Sequence, residues 1–328
     1  MTISVKTQKM LWGRAAGRCS RPDCRQDLFE DETEADDPTL VGENCHIVAE
    51  SDDGPRGDPS MPLERRNSYG NLILLCRDHH KVIDAQEGEY TVLRLHEMKA
   101  THEAWVAAQL GFDAAKQRDD ELYAGIVEKW EQLAHVGEWL GWSSYVLGAG
   151  QPRMRVEIDR DLEELRSWLL GRIWPCRYPE LKYAFENFRQ VLGDFQETFR
   201  KHAELVGDST IRQTRKFYKI PEWDPERYQR LGGQYDFHVD LVQDLMLELS
   251  RAANLICDRV RQFVIHSYRL AAGRLVVQSG PTMDGAFHDF VVEYSAEERA
   301  HDYPYPGLLA FLTERQKRDR HFGNGTEG

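Results

Sequence analysis

No stretch of this 328-residue chain reaches the roughly 18 to 20 uninterrupted apolar residues that a membrane-spanning helix needs. The opening MTISVKTQKMLWGRAAGRCS also lacks a long apolar segment followed by small cleavage-site residues, so no secretion signal is read there and a cytoplasmic location is expected. Cysteine is scarce. Six residues, four of them before position 77, are too few and too crowded for a disulfide framework and argue for metal binding. Excess positive charge is missing as well: a formal net charge of −13 argues against holding nucleic acid through a broadly basic surface and leaves room for a local patch. Arg14, Arg18, Arg21, Arg25, Arg65, Arg66, Arg77 and Lys81 are the candidates for such a patch. Internal repeats and low-complexity tracts are absent.

What is present is the composition of a globular protein, 41% hydrophobic and 30% charged, in a chain long enough for two or three domains. Residues 8–18 read as a short helix delivering Cys19, and the acidic, turn-rich segment after Cys24 as an exposed loop. Residues 39–49 are β-branched with partial alternation, which predicts a strand carrying His46 near its end. A long loop rich in Gly, Pro, Asp and Ser follows, of the kind that is usually functional. NLILLC then reads as a buried strand, RDHHKVIDAQ as the first turns of a helix, and residues 91–110 as an amphipathic helix closing a domain. The composition changes after Gly111, so domains are expected at 1–110 and 111–328.

Cys19 and Cys24 are separated by four residues and Cys76 and His79 by two, and two such knuckles supply the four tetrahedral ligands of a closed structural zinc site. About fifty residues lie between the pairs, so the metal staples a region too small to be held by its own core. Cys45 lacks a partner at knuckle spacing and reads as a core residue.

Three segments, Gly42-Glu43-Asn44-Cys45-His46-Ile47, Asn71-Leu72-Ile73-Leu74-Leu75-Cys76 and Cys76-Arg77-Asp78-His79-His80, together resemble the HNH, or ββα-metal, endonucleases over residues 8–110. LWGRAAGRCS, GPRGDP and NLILLC with its trailing His pair occur in the order seen in the HNH module of bacterial anti-phage effectors. The resemblance implies a small zinc-stapled ββα-metal domain, and with the helical patterning of the remainder the expected fold is α+β, that domain followed by a mostly α-helical bundle with a small β-hairpin. It implies His46 as general base, His80 as ligand of a catalytic divalent cation, Mg²⁺ with Mn²⁺ or Ni²⁺ as alternatives, and His79 in a zinc position usually held by cysteine. Asn71 is implied either to orient His46 or to hold the loop against the metal. Many members carry Asp where this chain has Cys45, which leaves the second ligand open between Glu43, Glu50 and none but solvent and phosphate.

Residues 111–328 read as helices at about 113–147, 158–174, 179–206 and 235–270, a hairpin from RLVVQSG and FHDFVVEY, a last helix near 305–320 and a disordered tail. Cys176 and Cys257 read as core residues, and His202 and His238 as structural or surface histidines. IRQTRKFYKIPEW, with Arg212, Arg215, Lys216 and Lys219 around Phe217 and Tyr218, is either a nucleic-acid track or a solvated face. The expected activity is that of a metal-dependent DNA endonuclease or nickase in anti-phage defence, acting on phage or plasmid DNA, with the helical part regulating, oligomerising or binding a defence partner. The alternatives are a non-catalytic zinc-stapled module that binds DNA or protein, and an RNA-directed nuclease.

Overall fold

The structure, a computed structural model, describes residues 3–30, 39–109, 113–148, 150–281 and 285–323. The chain divides into two compact units, Met1–Glu128 and Lys129–Gly328.

In the first unit, helix α1 (Val5–Arg14) starts where the Ser4 side chain accepts from the Thr7 amide. It ends in a turn through Ala16 and Gly17, both at positive φ (53° and 62°). The Phe29 ring lies so close to Gly17 that a Cβ there would sit 2.2 Å from it, so glycine is required and the turn delivers Cys19. Strands β1 (Phe29–Glu30) and β2 (Thr39–Leu40) form a small pair. The single strand expected over 39–49 is therefore split, its second part being β3 (Gly42–His46). The expected exposed loop over 31–38 lies outside the described residues. After a short helix, α2 (Leu63–Arg66), strand β4 (Leu72–Cys76) pairs antiparallel with β3, Gly42 opposite Cys76 and His46 opposite Leu72. All five β4 residues are buried, as the unbroken apolar run predicts.

Helix α3 (Arg77–Ala85) leaves β4 directly and completes a ββα unit, and Ile83 seats it on the core with Leu11, Leu28, Ile47 and Leu74. Trp12 Nε1 donates to Asn44 Oδ1 at 2.8 Å and ties α1 to β3. Helix α4 (Val92–Gln109) buries Leu95, Met98 and Val106, and α5 (Ala114–Leu133) salt-bridges to α1 through Asp120 and Lys9 at 3.0 Å.

The second unit is built on α8 (Pro179–Lys201) and α9 (Pro225–Phe263), with α6 (Trp139–Leu147) and α7 (Val156–Leu170) packed around them. Phe185, Phe188, Phe195, Leu245, Leu249 and Ile256 are fully buried there. Three short strands, β5 (Arg153–Arg155), β6 (Ala203–Val206) and β7 (Ile211–Thr214), form an antiparallel sheet in the order β5-β7-β6 that the sequence pattern did not predict. The expected hairpin is present as β8 (Val276–Ser279) and β9 (His288–Val291), and a last helix as α10 (Leu308–Glu314).

The predicted helix over 113–147 breaks at His135, which sits at φ 50° between α5 and α6. The long helix begins ten residues before the predicted start, where Asp224 caps the N-terminal Pro225 turn. Cys176 is exposed in a turn between α7 and α8, so the expectation of a core residue is corrected; Cys257 is buried. The tail is ordered through Gly323, because Asp244 on α9 accepts from the Phe322 and Gly323 amides at 2.6 and 3.2 Å and pairs with Arg315 at 3.0 Å. Residues 324–328 of that expected disordered tail lie outside the described residues. No helix among the described residues is long and apolar enough to cross a membrane.

Candidate active site

Four side chains converge where the α1 turn meets the junction of β4 and α3. One ligand atom from each of Cys19, Cys24, Cys76 and His79 lies within 4.8 Å of the others. His79 Nδ1 is 3.1 Å from Cys76 Sγ and 3.6 Å from Cys19 Sγ. Zinc–sulfur bonds of about 2.3 Å and a zinc–nitrogen bond of about 2.0 Å in a tetrahedron put sulfur and nitrogen about 3.5 Å apart, so the cluster has the dimensions of a zinc site. Burial pushes the Cys19 thiol up to about 12 in the presence of its neighbours Cys76 and Cys24, as expected of a group whose anion needs a metal to be tolerated inside the protein. Backbone bonds from Cys19 N to Gln26 O and from Ser20 N to Leu74 O fix the first knuckle against β4.

His46 ends β3. Its Nε2 is 2.7 Å from Asn67 Oδ1, and the Asn67 amide nitrogen faces Glu50 Oε1 at 3.5 Å. With the Asn67 NH₂ directed to that carboxylate, the Asn67 oxygen faces the His46 ring as an acceptor. The Glu50 carboxylate is held below its usual range by that amide. Among the described residues, the Asn71 side chain hydrogen-bonds to Val48 and Arg66 and not to His46. It is 4% exposed, its Oδ1 accepts from Val48 N at 3.0 Å, and its Nδ2 donates to Val48 O at 2.8 Å and Arg66 O at 2.9 Å. These three bonds tie Asn71 to the segment on either side of it, from Val48 to Arg66.

His80, one residue beyond His79, points to a different side of α3. Its Nδ1 is 2.5 Å from Glu43 Oε2 and its Nε2 is 3.1 Å from Asp84 Oδ2. The two histidines thus serve separate clusters. Cys45 is 1% exposed, its thiol is pushed well up by burial, and its Sγ lies 3.4 Å from the Glu43 carbonyl, so it is a core residue as expected. Asp84 sits one helical turn after His80, a spacing that places the two on one face and was available in the sequence. Asn67 gave no such signal, since it lies in an irregular segment and meets His46 across 21 positions.

The segment between Ile47 and Asn71 is held by two buried guanidinium groups. Arg56 donates to Ile47 O at 2.8 Å, to Ile83 O at 2.9 Å and to Asp84 Oδ1 at 2.6 Å, linking the end of β3 to α3. Arg66 donates to the carbonyls of Glu50, Asp58 and Met61 and pairs with Asp52. At Gly57 a Cβ would meet Asp52 O at 2.1 Å, which explains the second glycine of GPRGDP. His46, Glu50, Arg56, His80 and Asp84 line one cleft of about 500 Å³.

Arg66 was expected in a phosphate-facing patch, but at 3% exposure it is loop structure. Arg14, Arg18 and Arg21 are paired with Glu121, Asp27 and Asp23, and Arg25 lies over the Trp105 ring at 4.1 Å. Arg65, Arg77 and Lys81 are exposed and carry no acidic partner among the described residues.

No curated protein matches the chain. A family model described as HNH endonuclease matches residues 28–87, a span that takes in β3, β4, α3, His46, Asn67, Asn71, the second knuckle, His80 and Asp84 but stops short of Cys19 and Cys24. The ββα unit is therefore an HNH endonuclease match that supports a nuclease, and no family covers the rest of the chain.

Proposed function

We propose that the first unit is a metal-dependent DNA endonuclease or nickase that hydrolyses phosphodiester bonds with His46 as general base. The reading is carried by one observation: His46 and His80 line a common cleft, and each imidazole has one nitrogen committed to a fixed partner. Asn67 holds His46 Nε2–H, so Nδ1 is the nitrogen that accepts the proton of the attacking water. Glu43 holds His80 Nδ1–H and so turns the Nε2 lone pair toward Asp84, the arrangement by which an outer carboxylate sets the tautomer of a metal-binding histidine.

With Nε2 unprotonated, its lone pair faces the Asp84 carboxylate, and a cation between them would be held by both. His80 Nε2 and Asp84 Oδ2 are 3.1 Å apart, and adjacent ligands of an octahedral ion at about 2.1 Å are about 3.0 Å apart, so the pair fits Mg²⁺ or Mn²⁺. When bound, the cation would polarise the scissile phosphate and stabilise the leaving oxygen. Cys45 takes no part, because a buried neutral thiol is a poor partner for a hard ion. Arg77 and Lys81 on the exposed side of α3, and Arg65, are the groups left free to meet phosphates.

Cys19, Cys24, Cys76 and His79 would hold structural zinc and lock the start of α3 to the α1 turn, which fixes where His80 stands. The place in anti-phage defence rests on the order of the LWGRAAGRCS, GPRGDP and NLILLC segments.

Supercoiled plasmid and a folded RNA of similar length, each incubated with the full chain and Mg²⁺, Mn²⁺ or Ni²⁺, test the reading. Relaxed or linear plasmid with 5′-phosphate ends, formed only with a divalent ion, is the expected result. RNA cleavage without DNA cleavage, or a gel shift of DNA without cleavage under any ion, would replace it with one of the two alternatives.

A further inference from the structure

The second unit holds a cavity of about 590 Å³, walled by α8, the segment after β7, α9 and α10. Its volume falls in the range of small-molecule sites, about 300 to 1,000 Å³. Leu231, Phe237, Leu241 and Leu312 make its apolar walls. The charge around it is unusual for this chain, in which 55 acidic residues outnumber 42 basic ones. Lys201 and Arg215 line the cavity and are exposed, and neither has an acidic partner among the described residues. The acid that lines it, Glu197, is tied to Arg166 at 2.9 Å. Arg227, a third cation of the lining, is 3.8 Å from Glu222.

Two imidazoles stand in the wall. The His202 ring lies 4.3 Å from the Phe217 ring, and His238 meets His202 edge-on at 4.8 Å. His238 is 6% exposed and its Nε2 has no hydrogen-bond partner among the described residues. Burial, followed by the nearness of His202 and Lys201, lowers His238 to about 4, so the ring is neutral at physiological pH. The sequence had offered Arg212, Arg215, Lys216 and Lys219 with Phe217 and Tyr218 as a track for a nucleic-acid strand. The aromatics pack within the fold, Phe217 on His202 and Tyr235 and Tyr218 on Tyr228 and Tyr235, and Phe217 keeps a side toward the cavity. Arg212 is paired with Asp159 at 2.9 Å. Of the other three cations, Arg215 lines the cavity, whereas Lys216 and Lys219 are exposed and do not.

We propose that this cavity binds a small organic anion, its acidic group held by Lys201 and Arg215 and its apolar body laid against Phe217, Leu231 and Leu241. Charge complementarity selects an anion, and the leucine and phenylalanine walls select one with an apolar body over an inorganic ion. A nucleoside phosphate and a fatty acid share this chemistry. The site is independent of the nuclease reading, since every lining residue belongs to the second unit.

The full chain is titrated with anilinonaphthalene sulfonate, an aromatic organic anion whose fluorescence rises on entering an apolar site, and the bound probe is then competed with adenosine monophosphate, decanoate or inorganic phosphate. A single saturable site is expected. The double charge reversal Lys201→Glu, Arg215→Glu, at two exposed positions, should weaken it roughly tenfold or more, the loss expected when charged hydrogen bonds are removed. Leu231→Trp, which narrows the apolar wall and leaves the cations in place, should also weaken it. Displacement by adenosine monophosphate identifies a nucleotide-type ligand and displacement by decanoate an acyl one. Absence of a saturable site, binding unchanged in both variants, displacement by neither organic anion, or full displacement by inorganic phosphate alone would each overturn the proposal.

Discussion

Asn71→Ala separates a clamp from a catalytic group. The side chain makes three hydrogen bonds in a buried setting, two to Val48 and one to Arg66, and both partner residues are themselves less than 5% exposed. Each bond contributes about 1 kcal/mol net, and each backbone group left buried without a partner costs about 1 to 3 kcal/mol. Water can reach some of these groups once the side chain is gone, so a loss of about 3 to 5 kcal/mol from the first unit is expected. The local signature is sharper than the global one. Among the described residues Val48 N–H donates to Asn71 Oδ1, so its amide exchange should accelerate by two orders of magnitude or more. Urea unfolding of the zinc-loaded chain and amide exchange read the two effects. A variant that unfolds within about 1 kcal/mol of the native protein, keeps Val48 protected and yet no longer cuts DNA would refute the clamp and place Asn71 at the reacting atoms.

Asn67→Ala should lower kcat about five- to a hundredfold with little change in KM, because it frees the His46 ring without removing the base; an unchanged kcat would exclude Asn67 as its orienting partner. Asn67→Asp sets a carboxylate against the imidazole and favours its protonated form, so the acidic limb of the pH–rate profile should move to higher pH. Glu43→Gln should raise the divalent ion concentration needed for half-maximal cleavage about 10- to 100-fold while zinc content stays constant, and an unchanged requirement would remove Glu43 from the support of His80. Zinc retention under a fixed chelator concentration should fall as pH drops from 8 to 6, because three thiols must lose protons to bind the ion; the folded first unit should be lost with the metal, and a zinc-free chain with an intact melting transition for that unit would contradict the staple.

The legible parts of the fold are those where one residue type carries one chemistry at short spacing. Cys19, Cys24, Cys76 and His79 were readable because knuckle pairs hold their ligands within a few positions, and the separate directions of His79 and His80 follow from helical geometry. The apolar run of β4 and the leucine stripe of α9 were readable for the same local reason. The partners of the site were less so. Asn67, Glu50 and Arg56 sit in an irregular segment where no periodicity links sequence to direction, and Arg66 looked like a surface cation until its guanidinium was seen to organise that segment from inside. Asp84 carried a usable signal in its distance from His80. In the helical unit, the first ten residues of α9 are polar and gave no amphipathic cue, and the short, charged strands β5 and β7 are defined by pairing across some sixty residues.

If a histidine base works beside a separate zinc staple, cleavage and zinc binding are separable, and both are measured on the same preparations of native protein and His46→Ala. Divalent-ion-dependent cutting by the native chain and at least a hundredfold slower cutting by His46→Ala are expected, with one zinc retained in both. Cleavage by His46→Ala at near the native rate, or loss of zinc together with activity, would contradict that separation.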